Sequence, residues 1–184
     1  MTEPIGSGQY NQRKDSTQVV QTDRILVKNL KPSKEIMQFI IGFEELRLDY
    51  YEDNFGYCTV GWGHLTGGKR SCASQGITKG KLISRAEAEK LFEKDLIEAA
   101  HKKVQPYIHV PLLQREFDAL VDLAFNIGHL GKKAPNLCKT INNGQYSAAA
   151  NEFLDITNGG VPGLVVRRQR DVQVYLKGIY DSRH

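Results

Sequence analysis

The chain predicts an α+β fold, mostly α, with a small β-hairpin lobe and a larger helical lobe joined by a long helix, and a cleft between the lobes. Three observations carry this prediction. Period-two alternation flanks a single Asp53-Asn54-Phe55-Gly56 turn and is confined to about residues 47–83. Ser84-Arg85-Ala86-Glu87 then has the form of a capping box and opens a run with one apolar face, Ala88, Leu91, Phe92 and Leu96. Beyond it, stretches bounded by Pro and Gly keep helical spacing to the end of the chain.

The elements follow in order. Residues 1–33 are polar, rich in Gly, Ser, Gln and charge, and read as a flexible N-terminal arm or linker; packing of the short Ile25-Leu26-Val27 segment on the body is the less favoured alternative. Residues 34–184 form the folded domain. Ser33 is the expected N-cap of a first helix over 34–46, whose Ile36, Phe39, Ile40 and Phe43 share a face. The β-lobe covers about 47–83, with two strands around the turn and a third expected near 76–83. The helical lobe covers about 84–180. Pro106 ends the long helix, Pro111 starts another that stops at Gly128, and further helices are expected near 136–143, 146–156 and 162–179.

Composition narrows the function classes. The 184 residues suffice for one domain with a substantial core. A net charge of +4, from 25 basic and 21 acidic residues, is a mild bias toward anionic partners. Without an aromatic–basic platform or a reading helix, nucleic acid is not the expected partner. No apolar run approaches the ~18 to 20 residues of a membrane span, and the N-terminus lacks the form of a secretory signal. Synthesis in the cytoplasm and delivery to the wall by another system is therefore the expected route. The three cysteines, Cys58, Cys72 and Cys138, have no metal-ligand spacing. A Cys58–Cys72 or a Cys72–Cys138 bridge is open, and three free, partly buried thiols are the favoured reading. No cofactor or metal is expected.

The chemistry-bearing residues concentrate where the first helix empties into the hairpin. Glu44 falls at the C-terminal end of that helix beside apolar residues, where both the helix dipole and desolvation favour the protonated form that a general acid needs. Asp53 lies in the turn, where it can accept backbone N–H bonds and stay ionised. Two carboxyl groups set apart by environment form an acid/base division of labour. Thr59, on the returning strand, is positioned to face Asp53 and hold a water. Each also has a structural reading: Asp53 as an Asx-turn residue, Thr59 as a strand former, and His64 as a hydrogen-bonding residue.

The spacing Glu44, eight residues, Asp53, five residues, Thr59, then Gly61-Trp-Gly-His64, resembles the catalytic signature of phage-type lysozymes, glycoside hydrolase family 24. Ala124-Phe-Asn-Ile-Gly128, Asn136 to Gly144, Ala148 to Phe153 and Pro162 to Arg170 resemble later segments of that family, in the same order. The resemblance implies a lysozyme-like fold and a peptidoglycan hydrolase, an N-acetylmuramidase cutting the β-1,4 bond between N-acetylmuramic acid and N-acetylglucosamine. It implies Glu44 as proton donor, Asp53 as second carboxylate and Thr59 as water-positioning residue. Leu65, Phe125 and Asn136 would line the sugar cleft, His64 would support the site, and Arg167 would pair with Glu44 from the last helix. An inverting enzyme would hold its two carboxyl groups ~6.5 to 9.5 Å apart. On charge alone, Arg167, Arg168 and Arg170 suit an anionic wall, and the plainer reading of part of that cluster is a solvated final helix.

Some positions depart from the family pattern. Glu45 stands where glycine is commoner, Asn136 where serine is frequent, and the loop from Lys69 to Gln75 is longer than in compact members. The competing readings are a lytic transglycosylase and a non-catalytic wall-binding module. The expected partner is a peptidoglycan glycan strand, met by a monomer, with an inhibitor or immunity protein or a delivery partner also compatible. A phage endolysin, a tail lysozyme and a secreted antibacterial effector would share this sequence pattern.

Overall fold

The computed structural model describes residues 23–183. Most of the expected N-terminal arm, residues 1–22, lies outside them. The first described segment departs from the expectation. Strand β1 (Ile25–Leu26) pairs antiparallel with β5 (Pro111–Leu112), and Val27 and Leu30 are buried. Arg24 forms an ion pair with Glu116 and lies over the Tyr146 ring, 3.4 Å from its centroid. Gln105 donates to the Val27 carbonyl at 3.1 Å. Two apolar side chains and one arginine thus fasten a segment whose polar composition suggested a free arm.

Helix α1 (Lys34–Ile41) begins where the Ser33 hydroxyl accepts the Ile36 N–H at 3.1 Å. It ends at Gly42, earlier than expected, so Glu44 sits on the turn beyond the helix. The β-lobe is a three-stranded antiparallel sheet, β2 (Arg47–Glu52), β3 (Cys58–Gly61) and β4 (His64–Leu65), in the order β2-β3-β4. The third strand is therefore at His64–Leu65 and not at 76–83. That later segment contributes only an isolated bridge of Leu82 to Asp49, fixed by backbone bonds such as Tyr50 N–H to Lys81 O at 3.0 Å. The tight turn after Gly61, at φ +68°, lets the chain fold straight back onto β3 before it can reach that far edge.

Cys58 and Cys72 form a disulfide, and Cys138 is free and buried. This replaces the reading of three free thiols. The bridge ties the loop of residues 66–75 to the middle strand, an arrangement that sequence spacing does not specify. Burial pushes the Cys138 thiol up to about 11.

Helix α2 (Arg85–Ala99) opens with the expected capping box: Ser84 N–H donates to Glu87 Oε2 at 2.7 Å, and Glu87 N–H to the Ser84 hydroxyl at 3.2 Å. The helix then widens to a π winding over Ala100–Val104 and closes with a short turn over Gln105–Tyr107. The helical lobe continues with α3 (Gln114–Ile127), α4 (Leu130–Lys133), α5 (Pro135–Asn142), α6 (Tyr146–Leu154) and α7 (Pro162–Lys177). Helix α3 is the axis of the core: residues 116–124 are all buried, and it packs against α1, α2 and α7. Short α4 was not expected. It fits closely because Gly131 meets the Tyr107 ring where any side chain would collide. The lobes join through a chain of rings, Trp62 on Phe92 and Phe92 on Phe125, with centroids 5.5 Å apart in each pair.

Candidate active site

A groove of about 730 Å³ opens between the lobes. On one side it is lined by the β3–β4 turn, Trp62 to Leu65. Lys94, Asp95, Glu98 and Lys103 of α2 and its π continuation line the other, with Glu44, Phe125 and Asn126 between. The register that produces it is local. Pairing of Thr59 with Leu65 and Val60 with His64 folds the glycine-rich turn back beside α2, with Trp62 on Phe92 and His64 on Asp95.

Glu44 is the groove residue with the most elaborate support. Arg167, reaching from α7, donates Nη1–H to Glu44 Oε1 at 2.8 Å. The glutamate side chain stays 29% exposed, while the arginine is 6% exposed, so one partner faces the groove and the other faces the core. The Arg167 guanidinium also lies 5.1 Å from the Phe43 ring centroid. Behind it, Asp122 of α3 accepts from Arg167 at 2.6 and 3.2 Å and is completely buried.

Asp53 occupies the hairpin turn. Its Oδ1 accepts the N–H groups of Phe55 at 2.8 Å and Tyr57 at 2.9 Å, the role of an Asx turn. Gly56, at φ +77°, supplies the left-handed conformation the turn requires. Thr59 is buried on β3 opposite Tyr51, and its hydroxyl donates to the Tyr57 carbonyl at 3.0 Å. The same carbonyl accepts the Asp53 N–H at 3.0 Å. Asp53 and Thr59 are thus tied to each other through Tyr57. Neither lines the groove wall that Glu44 shares with His64, Leu65 and Phe125.

His64 Nδ1 lies 2.9 and 3.0 Å from the two Asp95 oxygens, linking the β-lobe turn to α2 across the groove. Leu65, 39% exposed, and half-buried Phe125 give the groove its apolar surface. Asn136 is exposed at the start of α5, outside the groove lining. The arginines of the last helix do not form the expected cationic face. Arg167 and Arg168 are buried and ion-paired, and Arg170 pairs with Asp181 at 3.4 Å. Burial of the helix against α3 turned Arg167 and Arg168 inward, while partly exposed Arg170 is held by Asp181 of the C-terminal segment. The cations that do face the groove are Lys94 and Lys103.

Sequence reasoning did not single out Asp122 or Asp95. Asp122 had a signal: a charge between Val121 and Leu123, inside an apolar stripe, requires a buried cation opposite. Asp95 had none, because an acid on a long helix is ordinarily a solvated residue.

Residues 41–171 match the family model described as phage lysozyme. An endolysin from Acyrthosiphon pisum secondary endosymbiont phage 1 is 30% identical over 150 residues, covering 78% of this chain and 96% of that protein. The endolysin of Salmonella phage P22 is 32% identical over 132 residues, covering 71% and 87% of the two chains. Among solved structures, an endolysin from Escherichia coli O157:H7 phage FAHEc1 superposes with a TM-score of 0.68 at 28% identity, covering 83% of this chain and 98% of that one. The muramidase domain of SpmX from Asticaccaulis excentricus gives 0.66 at 26% identity, covering 80% and 99%.

Proposed function

The chain belongs to the phage lysozyme family and is a peptidoglycan hydrolase of the muramidase class; from this premise we propose how its groove performs the hydrolysis. The glycan strand lies along the groove between the lobes, the usual location of a ligand site in a two-lobed protein. Glu44 gives its proton to the glycosidic oxygen between N-acetylmuramic acid and N-acetylglucosamine as positive charge develops on the muramyl sugar. Asp53 supplies the permanent negative charge that stabilises this centre. A water directed by Asp53 and Thr59 attacks from the opposite face, so the product is inverted. Because the Thr59 hydroxyl proton is committed to the Tyr57 carbonyl, its lone pairs are left to accept from that water.

The observation that carries this reading is the setting of Glu44: a partly exposed carboxyl in the groove wall, fixed in orientation by a buried arginine. Leu65 and Phe125 offer apolar surface to the sugar rings and their acetyl methyls. Lys94 and Lys103 offer charge to the carboxylates of the wall. The site of action is the cell wall.

The test is a digest of purified peptidoglycan with the wild type and Glu44→Gln, with products read by mass and by the anomeric proton signals of the first turnover. Hydrolysed muropeptides from the wild type, an α-anomeric new end, and no release by Glu44→Gln are expected. Products one water lighter would indicate a lytic transglycosylase. Binding without release would indicate a wall-binding module. A lytic Glu44→Gln variant would remove Glu44 from its role.

A further inference from the structure

Asp122 is a fully buried carboxylate in the most apolar part of α3. A charge at such a position is strongly destabilising unless it is fully paired. Arg167 pairs it through two nitrogens, Nη2 to Oδ1 at 2.6 Å and Nε to Oδ2 at 3.2 Å. The remaining nitrogen, Nη1, points out of the core to Glu44. A planar guanidinium clamped at two corners has one direction left for its third. Asp122 therefore fixes where Arg167 meets Glu44, and its charge competes with Glu44 for the same cation.

Two further buried groups, Arg168 and Asp171, complete the cluster. Arg168 lies 3.7 Å from Asp122, donates to Asn126 of α3 at 3.2 Å, and lies 3.0 Å from Asp171, which is likewise buried. Burial, and then the neighbouring Asp122 charge, push the Asp171 carboxyl well above the usual carboxylate range. Burial acts on Asp122 in the same direction, but the Arg167 charge outweighs it and holds Asp122 below its ordinary value. With Asp171 neutral, two guanidiniums face two carboxylates, Asp122 inside and Glu44 at the surface. On the groove side, the groups near Glu44 are His64, Lys94, Asp95, Glu98 and Lys103.

We propose that Asp122 is a positioning residue for the hydrolysis, acting through Arg167 to set the hold of that guanidinium on Glu44. The proposal rests on Glu44 being the proton donor. Without the Asp122 charge, Arg167 would have Glu44 as its one carboxylate partner and would favour the ionised form, which cannot donate. With it, the cation is shared and the glutamate can take up the proton that the reaction spends. Nothing in this role requires Asp122 to touch the sugar.

The experiment is the pH profile of kcat/KM on soluble peptidoglycan fragments for the wild type, Asp122→Asn, Asp122→Glu, Asp171→Asn and Arg167→Lys, with folding checked by near-ultraviolet circular dichroism. For Asp122→Asn the alkaline limb should move to lower pH by about one unit. That corresponds to roughly a tenfold loss of rate on that limb and little loss on the acid side. Asp122→Glu, which keeps the charge, should restore the wild-type limb. Asp171→Asn replaces one neutral donor by another and should leave the limb where it is. If Asp122→Asn does not fold, Arg167→Lys reads the same link with the charge balance kept. A single ammonium should stay with buried Asp122 and release Glu44, moving the limb to higher pH.

A uniform loss at every pH in Asp122→Asn, or an unmoved limb in a folded Arg167→Lys, would overturn the proposal while leaving the hydrolysis assignment standing. An inactive wild type would instead overturn the hydrolysis assignment, and an active Glu44→Gln the role of Glu44 as proton donor.

Discussion

Removal of the Cys58–Cys72 disulfide tests how the β-lobe is held. The two half-cystines are fully buried and 14 residues apart, so the bridge closes a loop of about 15 residues, for which the chain-entropy relation gives about 3 kcal/mol at 25 °C. The native loop has other attachments: Cys58 N–H donates to Arg70 O at 2.8 Å, Thr66 N–H to Cys58 O at 2.9 Å, and Cys72 N–H to Glu52 Oε1 at 3.1 Å. The folded lobe should therefore survive, with the loss arising from a less constrained unfolded chain. For a domain of this size, 1 kcal/mol corresponds to roughly 2–4 °C, so Tm should fall by about 6–12 °C. The assay is calorimetry of the oxidised wild type, the same protein under reductant, and Cys58→Ala/Cys72→Ala. A fall of less than about 2 °C in both perturbed forms would show that the unfolded chain is already restricted there, against the model used.

Three other outcomes follow from single contacts. Because Asp171 binds a proton in the folded state at a pH where the unfolded chain has released it, its own contribution to stability should be fully present below the ordinary carboxylate range and decline as pH rises above that range, and Asp171→Asn should remove this contribution to the slope, about 1.4 kcal/mol per pH unit; urea titrations of both proteins at mildly acidic and neutral pH measure it. Asp53→Asn keeps an oxygen for the Phe55 and Tyr57 N–H groups and should leave the fold unchanged, while turnover drops on the order of 100-fold or more with loss of the charge; steady-state digestion rates measure it, and near-normal turnover would remove Asp53 from the mechanism. Gly131→Ala drives a methyl into the Tyr107 ring and should cost about 1–3 kcal/mol in denaturant melts, with little change in digestion rate, since neither residue lines the groove.

Much of the candidate site was legible because its parts are close in sequence. Glu44, Asp53, Thr59 and His64 fall within 21 residues, and the hairpin connecting the last three is signalled by its own turn. Arg167 was legible only through family resemblance, since 123 positions separate it from Glu44. Charge alone misplaces Arg168, because helical spacing states which residues share a face but not which face meets α3, and Arg170, whose partner Asp181 lies beyond the helix. The Asn136 assignment rested on order along the chain alone, and the residue lies outside the groove lining.

The sequence by itself determined the helix starts at Ser33 and Ser84, the hairpin at Asp53 to Gly56, and the stop at Gly128. Each is set by bonds and backbone freedom within four or five residues, so local chemistry suffices. The tertiary structure alone decided that Cys58 meets Cys72, that residues 24–30 are strapped to α3 and α6, and that Asp122 and Asp171 are enclosed with Arg167 and Arg168. These depend on which distant surfaces come into contact and exclude water. Whether a charge is solvated, paired or neutralised is a property of the packed core, not of any single stretch of chain.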